Sequence, residues 1–190
     1  DLLTEQFQSI RLDDAEEYRR AVTFVERIMP NMVSRVKRYA KDYPIFDEYG
    51  VQAEIDKALR SKVWLKSGGY IVINQTEALV AIDVNSGKLR DQDNAEATAF
   101  KTNMEAAPEI ARQLRLRDLA GLIVIDFIDM MENRNNRAVE RRLKEALKND
   151  RARIQVGRIS HFGLMEMSRQ RLRQGLHRGR PQAARQDPVL

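Results

Sequence analysis

Residues 78–83 read Ala78-Leu79-Val80-Ala81-Ile82-Asp83, and residues 121–126 read Gly121-Leu122-Ile123-Val124-Ile125-Asp126. Each is a short apolar run that ends on a carboxylate. Runs this short and this apolar predict strands buried on both faces. Between them, residues 95–119 read as a long helix with an interior proline, Pro108, which is expected to break or kink it. Strand, helix and strand in that order predict an α/β or α+β fold.

The pattern extends on both sides. Val63-Trp64-Leu65-Lys66 and Tyr70-Ile71-Val72-Ile73 flank Ser67-Gly68-Gly69, which signals a hairpin. Residues 134–150 form a charged helix with Val139, Leu143 and Leu147 as its apolar stripe, and 154–159 and 164–167 read as further strands. Near the start, Asp13 or Asp14 caps a helix in which Tyr18, Val22, Val25 and Met29 recur at helical spacing, and Pro30 stops it. A second short helix is expected over 32–39 and a loop over 41–50. A third helix follows over 51–59, with Val51, Ile55 and Leu59 on one face. No internal repeat is present.

Composition limits the chemistry. The 190 residues include 33 Lys and Arg, 28 Asp and Glu, two His and no Cys. The absence of cysteine excludes a disulfide framework, a cysteine nucleophile and a thiolate zinc site. Two histidines exclude a His-rich metal site and count against a His-based triad; His161 and His177 have no spaced partners. No apolar run approaches the roughly 18 residues of a membrane span, and no signal-peptide pattern opens the sequence. It begins on Asp1 rather than Met, as a fragment does. The net charge of +5 is concentrated in 134–180. Residues 169–185 contain Arg169, Arg171, Arg173, Arg178, Arg180 and Arg185 and no acid. Such a stretch attracts polyanions, although a solvated tail is its ordinary reading. Residues 182–190 lack periodicity and are expected to be disordered.

In open α/β sheets, ligands gather beyond the carboxyl ends of the strands. Asp83 and Asn85 share one strand face, as do Asp126 and Ile128, whereas Asp129 points the other way if the strand continues. Two converging acids repel, and a divalent cation relieves that. Oxygen donors without thiolate or imidazole suit Mg²⁺ or Mn²⁺. Aspartate at a strand end also serves as an ordinary cap or turn residue. Gly87, in Ser86-Gly87-Lys88, would let the backbone approach a ligand. Arg112, Arg115 and Arg117 lie between the two acids, near a helix C-terminus that favours cations in any case. Met165, Met167, Trp64 and Tyr70 read by default as packing residues.

Several blocks together resemble the catalytic core of the ribonuclease E/G family. They are Ala81-Ile82-Asp83-Val84-Asn85-Ser86-Gly87, Thr102-Asn103-Met104-Glu105-Ala106-Ala107, Ile110 to Leu119 and Ile123 to Met130. Asp150-Arg151-Ala152-Arg153 and Gly163 to Arg171 continue the likeness, as does Ser67-Gly68-Gly69 through Leu79; in all it covers about residues 5–173. The resemblance implies a bacterial, cytoplasmic endoribonuclease. It would cut single-stranded, A/U-rich RNA by metal-assisted hydrolysis in mRNA decay and in rRNA and tRNA processing. It implies Asp83 and Asp126 as metal ligands, Asn85 as their catalytic assistant and Arg153 as an RNA contact. Arg112, Arg115, Arg169 and Arg171 complete the expected RNA-binding set. It further implies a layout. Residues 1–39 would be the end of a 5′-sensor-like region, 40–62 part of a ribonuclease H-like subdomain, and 63–173 a DNase I-like catalytic subdomain with a mixed sheet and flanking helices. Residues 174–190 form a divergent basic tail.

Family members have an S1-type RNA-binding domain, absent here, and a paired-cysteine zinc link that supports dimers and tetramers, also absent from this chain. Degradosome partners and membrane association come, in some members, from other regions. Without the RNA clamp and the dimer link, the resemblance leaves open whether the chain cleaves RNA alone. The alternative is an RNA-binding fragment without catalysis. A different metal-dependent phosphotransfer enzyme is disfavoured, because no phosphate-binding Gly-rich loop with Lys and Ser/Thr occurs.

Overall fold

The computed structural model describes residues 7–87 and 94–172. Lys88, Arg173, His177 and the tail 174–190, with Arg178, Arg180 and Arg185, lie outside them. The chain divides into two compact units at Lys57/Ala58.

In the first unit, strand β1 (Ile10–Leu12) leads into helix α1 (Ala15–Ile28). Asp14 caps α1: its Oδ1 accepts the Glu16 and Glu17 N–H groups, both at 2.8 Å. The helix expected over 32–39 does not form. A 3-10 helix (Pro30–Arg35) runs instead into strand β2 (Val36–Arg38), which pairs in parallel with β1, Ile10 opposite Val36. A long-range partner thus outweighs local helical spacing. Val25, Met32 and Val36 form the small core. The expected loop over 41–50 contains one helical turn, α2 (Ile45–Glu48), and α3 (Val51–Ala58) follows.

The second unit is built on a six-stranded mixed sheet with two flanking helices. Its strands are β3 (Lys62–Trp64), β4 (Tyr70–Gln75), β5 (Leu79–Asn85), β6 (Gly121–Asp126), β7 (Ile154–Ile159) and β8 (Leu164–Arg169), in the spatial order β3-β4-β5-β6-β8-β7. The β5–β6 pair is parallel and every other pair is antiparallel. That one parallel pair needs a crossover, which α4 (Ala95–Leu116) supplies. Helix α5 (Asn133–Leu147) packs beside α4.

One sheet face carries the core. Ile71, Ile73, Val80, Ile82, Val84, Ile123, Ile125, Met165 and Met167 meet Ala107, Ile110 and Leu114 of α4 and Val139 and Leu143 of α5. The expectation of strands buried on both faces is therefore corrected. Along β5, Val80, Ile82 and Val84 are buried while Asp83 is exposed, and in β6 Leu122 is 48% exposed. The apolar residues on the second face hide a one-sided alternation.

Pro108 neither breaks nor ends α4, which runs unbroken through it. An interior proline costs about 3 kcal/mol. The buried stripe from Ala99 through Ala106 and Ile110 to Leu114 offsets that loss.

Gly87 approaches another stretch of backbone. Its φ is +62°, and a Cβ there would run into the carbonyl oxygen of Gly68 in the β3–β4 turn. Gly87→Ala is expected to destabilise the chain by more than about 1 kcal/mol, measured as a lower denaturation midpoint.

Candidate functional site

The parallel register sets Asp83 directly beside Asp126 at the carboxyl ends of β5 and β6. Because Ile82 and Ile125 point into the core, both carboxylates stand on the open face, and both residues are exposed. Asn85 follows two residues along the same face, and its Nδ2 donates to Asp83 Oδ2 at 2.8 Å. The three residues expected to act together are thus brought together.

Strand β6 stops at Asp126, so the expected opposite orientation of Asp129 does not apply. The buried Asn103 of α4 ties down the loop that follows. Its Nδ2 donates to the Ile128 carbonyl at 2.8 Å, and its Oδ1 accepts the Ile128 N–H at 3.1 Å. Gly163, at φ +75°, comes close enough that a Cβ would lie 2.6 Å from Asp129 Oδ1. Sequence reasoning assigns Asn103 no role. The signal that could have found it is a polar side chain on the apolar stripe of α4.

Burial, reinforced by the neighbouring Asp83 and Asp129 carboxylates, pushes the Asp126 carboxyl above the ordinary aspartate value of 3.8. A carboxyl raised in the folded state adds stability that is present below its unfolded value and lost as pH rises through its folded value. Metal-free Asp126→Asn is therefore expected to be slightly more stable than the natural chain at pH 7, by about 0.2–1 kcal/mol as for exposed charge pairs. That gain should vanish below pH 3.8, the ordinary aspartate value, in denaturation followed across pH.

Among the described residues, no group of three or more His, Cys, Asp or Glu side chains is placed to hold a metal. The donor set instead comprises two adjacent carboxylates and an amide oxygen. It fits an ion that keeps several waters and takes further ligands from phosphate, as Mg²⁺ does. The mutual repulsion at Asp126 is what such a charge would relieve.

The expected arginines lie elsewhere. Helix α4 runs back from the end of β5 to the start of β6, so Arg112, Arg115 and Arg117 are at the opposite end of the sheet from Asp126. Arg112 pairs with Glu109 at 3.0 Å, and the Arg115 guanidinium donates to the Ala146 carbonyl. Arg153 and Arg171 are exposed but flank the Ile154–Arg169 pairing, which is also at that far end.

Arg169 requires a correction. Its side chain is 1% exposed, in phase with buried Met165 and Met167. Its Nε donates to Asp150 Oδ2 at 2.9 Å, and one terminal nitrogen donates to Asp118 Oδ1 at 2.8 Å. A guanidinium buried against Asp150 and the partly buried Asp118 presents no exposed surface to a polyanion.

A basic groove that sequence reasoning misses lies between α5 and β7. Arg134, Arg137, Arg141, Lys144 and Arg158 line it, with Glu140 as its one acid. Asn133 and Ile159 sit at the same end of the sheet as Asp126, because α5 begins just after β6 and Ile159 pairs with Met165. Glu96 of α4 holds this end of α5 by accepting the Met131 N–H at 2.8 Å and the Asn135 Nδ2 at 2.6 Å.

A family model described as the ribonuclease E/G family matches residues 1–172. The chain belongs to the ribonuclease E/G family. It is 49% identical over 172 residues to Ribonuclease E of Haemophilus influenzae, covering 90% of this chain and 18% of that protein. Against Ribonuclease E of Escherichia coli, identity is 58% over 143 residues, covering 75% of this chain and 14% of that protein. Against Ribonuclease G of Salmonella typhimurium it is 43% over 176 residues, covering 93% and 36%. The chain therefore spans well under half the length of these ribonuclease E/G relatives. No helix among the described residues is long and apolar enough to cross a membrane.

Proposed function

We propose that this chain carries the cleavage chemistry of an endoribonuclease that cuts single-stranded, A/U-rich RNA, in mRNA decay and in rRNA and tRNA processing. The observation that carries this reading is the pairing of Asp83 with Asp126 on one open sheet face, with Asn85 hydrogen-bonded to Asp83. Family membership supports it. Residues 63–173 then act as the DNase I-like catalytic subdomain; the six-stranded sheet with helices on one face suits that assignment.

Asp83 and Asp126 would hold Mg²⁺, or Mn²⁺ in its place. Bound there, the ion supplies charge neutralisation at the scissile phosphate and acidifies a water. The chain's own residues do the rest. Asn85 fixes the Asp83 carboxylate through its amide N–H. Asn103 and Gly163 hold the loop that follows Asp126. The groove of α5 and β7 attracts flanking phosphates, and that affinity falls as salt rises. In-line attack by water leaves a 5′-phosphate and a 3′-hydroxyl.

The same basic groove favours a second reading, an RNA-binding unit that cuts nothing. Incubating the chain with a 5′-monophosphorylated A/U-rich RNA, with and without Mg²⁺, separates the two. Metal-dependent cuts support the nuclease. Salt-sensitive binding without cuts supports the binder, and a chain that neither cuts nor binds overturns both.

A further inference from the structure

Two rows of side chains cross the open sheet face. Lys62, Val72, Asp83 and Asp126 are consecutive register partners on β3, β4, β5 and β6. Trp64, Tyr70 and Asn85 form the next row on the same face. Trp64 is the chain's single tryptophan and is 64% exposed. The Tyr70 ring meets it edge-on, with centroids 5.2 Å apart. Lys62 Nζ lies 4.2 Å from the Trp64 centroid and 3.7 Å from that of Tyr70. A large ring is thus stiffened by two neighbours while most of it remains in water.

We propose that Trp64, backed by Tyr70 and Lys62, is a stacking platform for a base of the single-stranded RNA whose phosphate lies at Asp83 and Asp126, an inference that rests on the nuclease reading. Strands about 4.8 Å apart put the Trp64 backbone about 10 Å from that of Asn85, within reach of nucleotides flanking the cut. An exposed ring beside a cation matches single-stranded nucleic acid, which offers a π-face and a phosphate together. An apolar protein partner would instead bury the Lys62 ammonium without a counter-charge. Stacking tolerates any base, so the platform selects unpaired bases over duplex and not one sequence. The ring's default reading as packing is overtaken by its exposure.

The test uses the whole chain in EDTA with a short 2′-O-methyl A/U strand, which cannot be cut. Trp64 emission should be quenched as the strand saturates. Trp64→Ala should weaken binding about 5- to 150-fold, read by anisotropy of the labelled strand. Trp64→Phe should restore most of it. An abasic strand of equal length should bind the natural chain as weakly as the full strand binds Trp64→Ala. Equal binding of the abasic strand, or unchanged binding by Trp64→Ala, overturns the platform. So does emission that tracks protein concentration and ignores RNA, which would mean that a second copy covers the ring. No cutting is needed for this readout. Quenching retained by a chain that never cuts RNA therefore overturns the nuclease reading and not the platform.

Discussion

Arg169→Ala is expected to cost about 3–5 kcal/mol of folding stability, because it strands buried charge. The Asp150 side chain is 1% exposed and faces Arg169 through two of its nitrogens, at 2.9 and 3.2 Å. Desolvation alone would raise the Asp150 carboxyl, but Arg169 and the Ala152 N–H together hold it below its ordinary value. Asp118, in the left-handed region at φ 46° just past α4, accepts from the same guanidinium, which also donates to the Leu119 carbonyl at 3.1 Å. One side chain thus joins the end of α4, the turn before β7 and strand β8. A loss of this size is a large share of the roughly 5–15 kcal/mol typical of a whole domain.

A carboxyl depressed in the folded state stabilises above its unfolded pKa and loses that contribution as pH falls through the folded value. The gap between the natural chain and Arg169→Ala should accordingly be full at pH 7 and narrow as acid protonates the unpaired Asp150 carboxyl of the variant. Urea midpoints across pH measure it. Removing both charges with Arg169→Met and Asp150→Leu should recover much of the stability, since an apolar replacement of a buried pair is close to neutral. Full stability of Arg169→Ala at pH 7 would show that the interior pair is dispensable.

The second large effect falls on chemistry. Asp83→Asn and Asp126→Asn should each lower Mg²⁺-dependent cleavage by about 10²–10³, the usual loss when one charge-stabilising group is removed. Both residues are exposed, so the fold should survive and far-UV circular dichroism should not change. Asp126→Asn should be slightly stabilised while inactive, because burial and the neighbouring carboxylates no longer disfavour a charge there. A stabilised but inactive variant separates a working site from a structural one. Cleavage at the natural rate by either variant would remove that residue from the metal site.

Features that depend on near neighbours are legible in the sequence. The Asp14 cap, the Ser67-Gly68-Gly69 turn and the stripe of α5 each involve a few residues close along the chain. The period of two along a strand likewise puts Asn85 on the face of Asp83. Arg169 is legible too, since it continues the alternation of Met165 and Met167; the run of basic residues around it masks the phase. The strand at Val36–Arg38 is not legible, because its partner is remote in the chain, Ile10 opposite Val36.

Periodicity, capping and ordered motifs are properties of neighbouring residues. They sufficed for the element types of the second unit and for the family, and they marked the two aspartates and the asparagine as candidates. Other features came from the folded chain. Only one sheet face is covered, Asp83 and Asp126 are register neighbours, and the expected arginines lie at the far end. A groove of α5 and β7 gathers cations at the edge of the sheet, and Trp64 shares the face of the acids. Those facts depend on strand order and register. Hydrogen bonds between segments distant in the chain set them, and no local spacing encodes them.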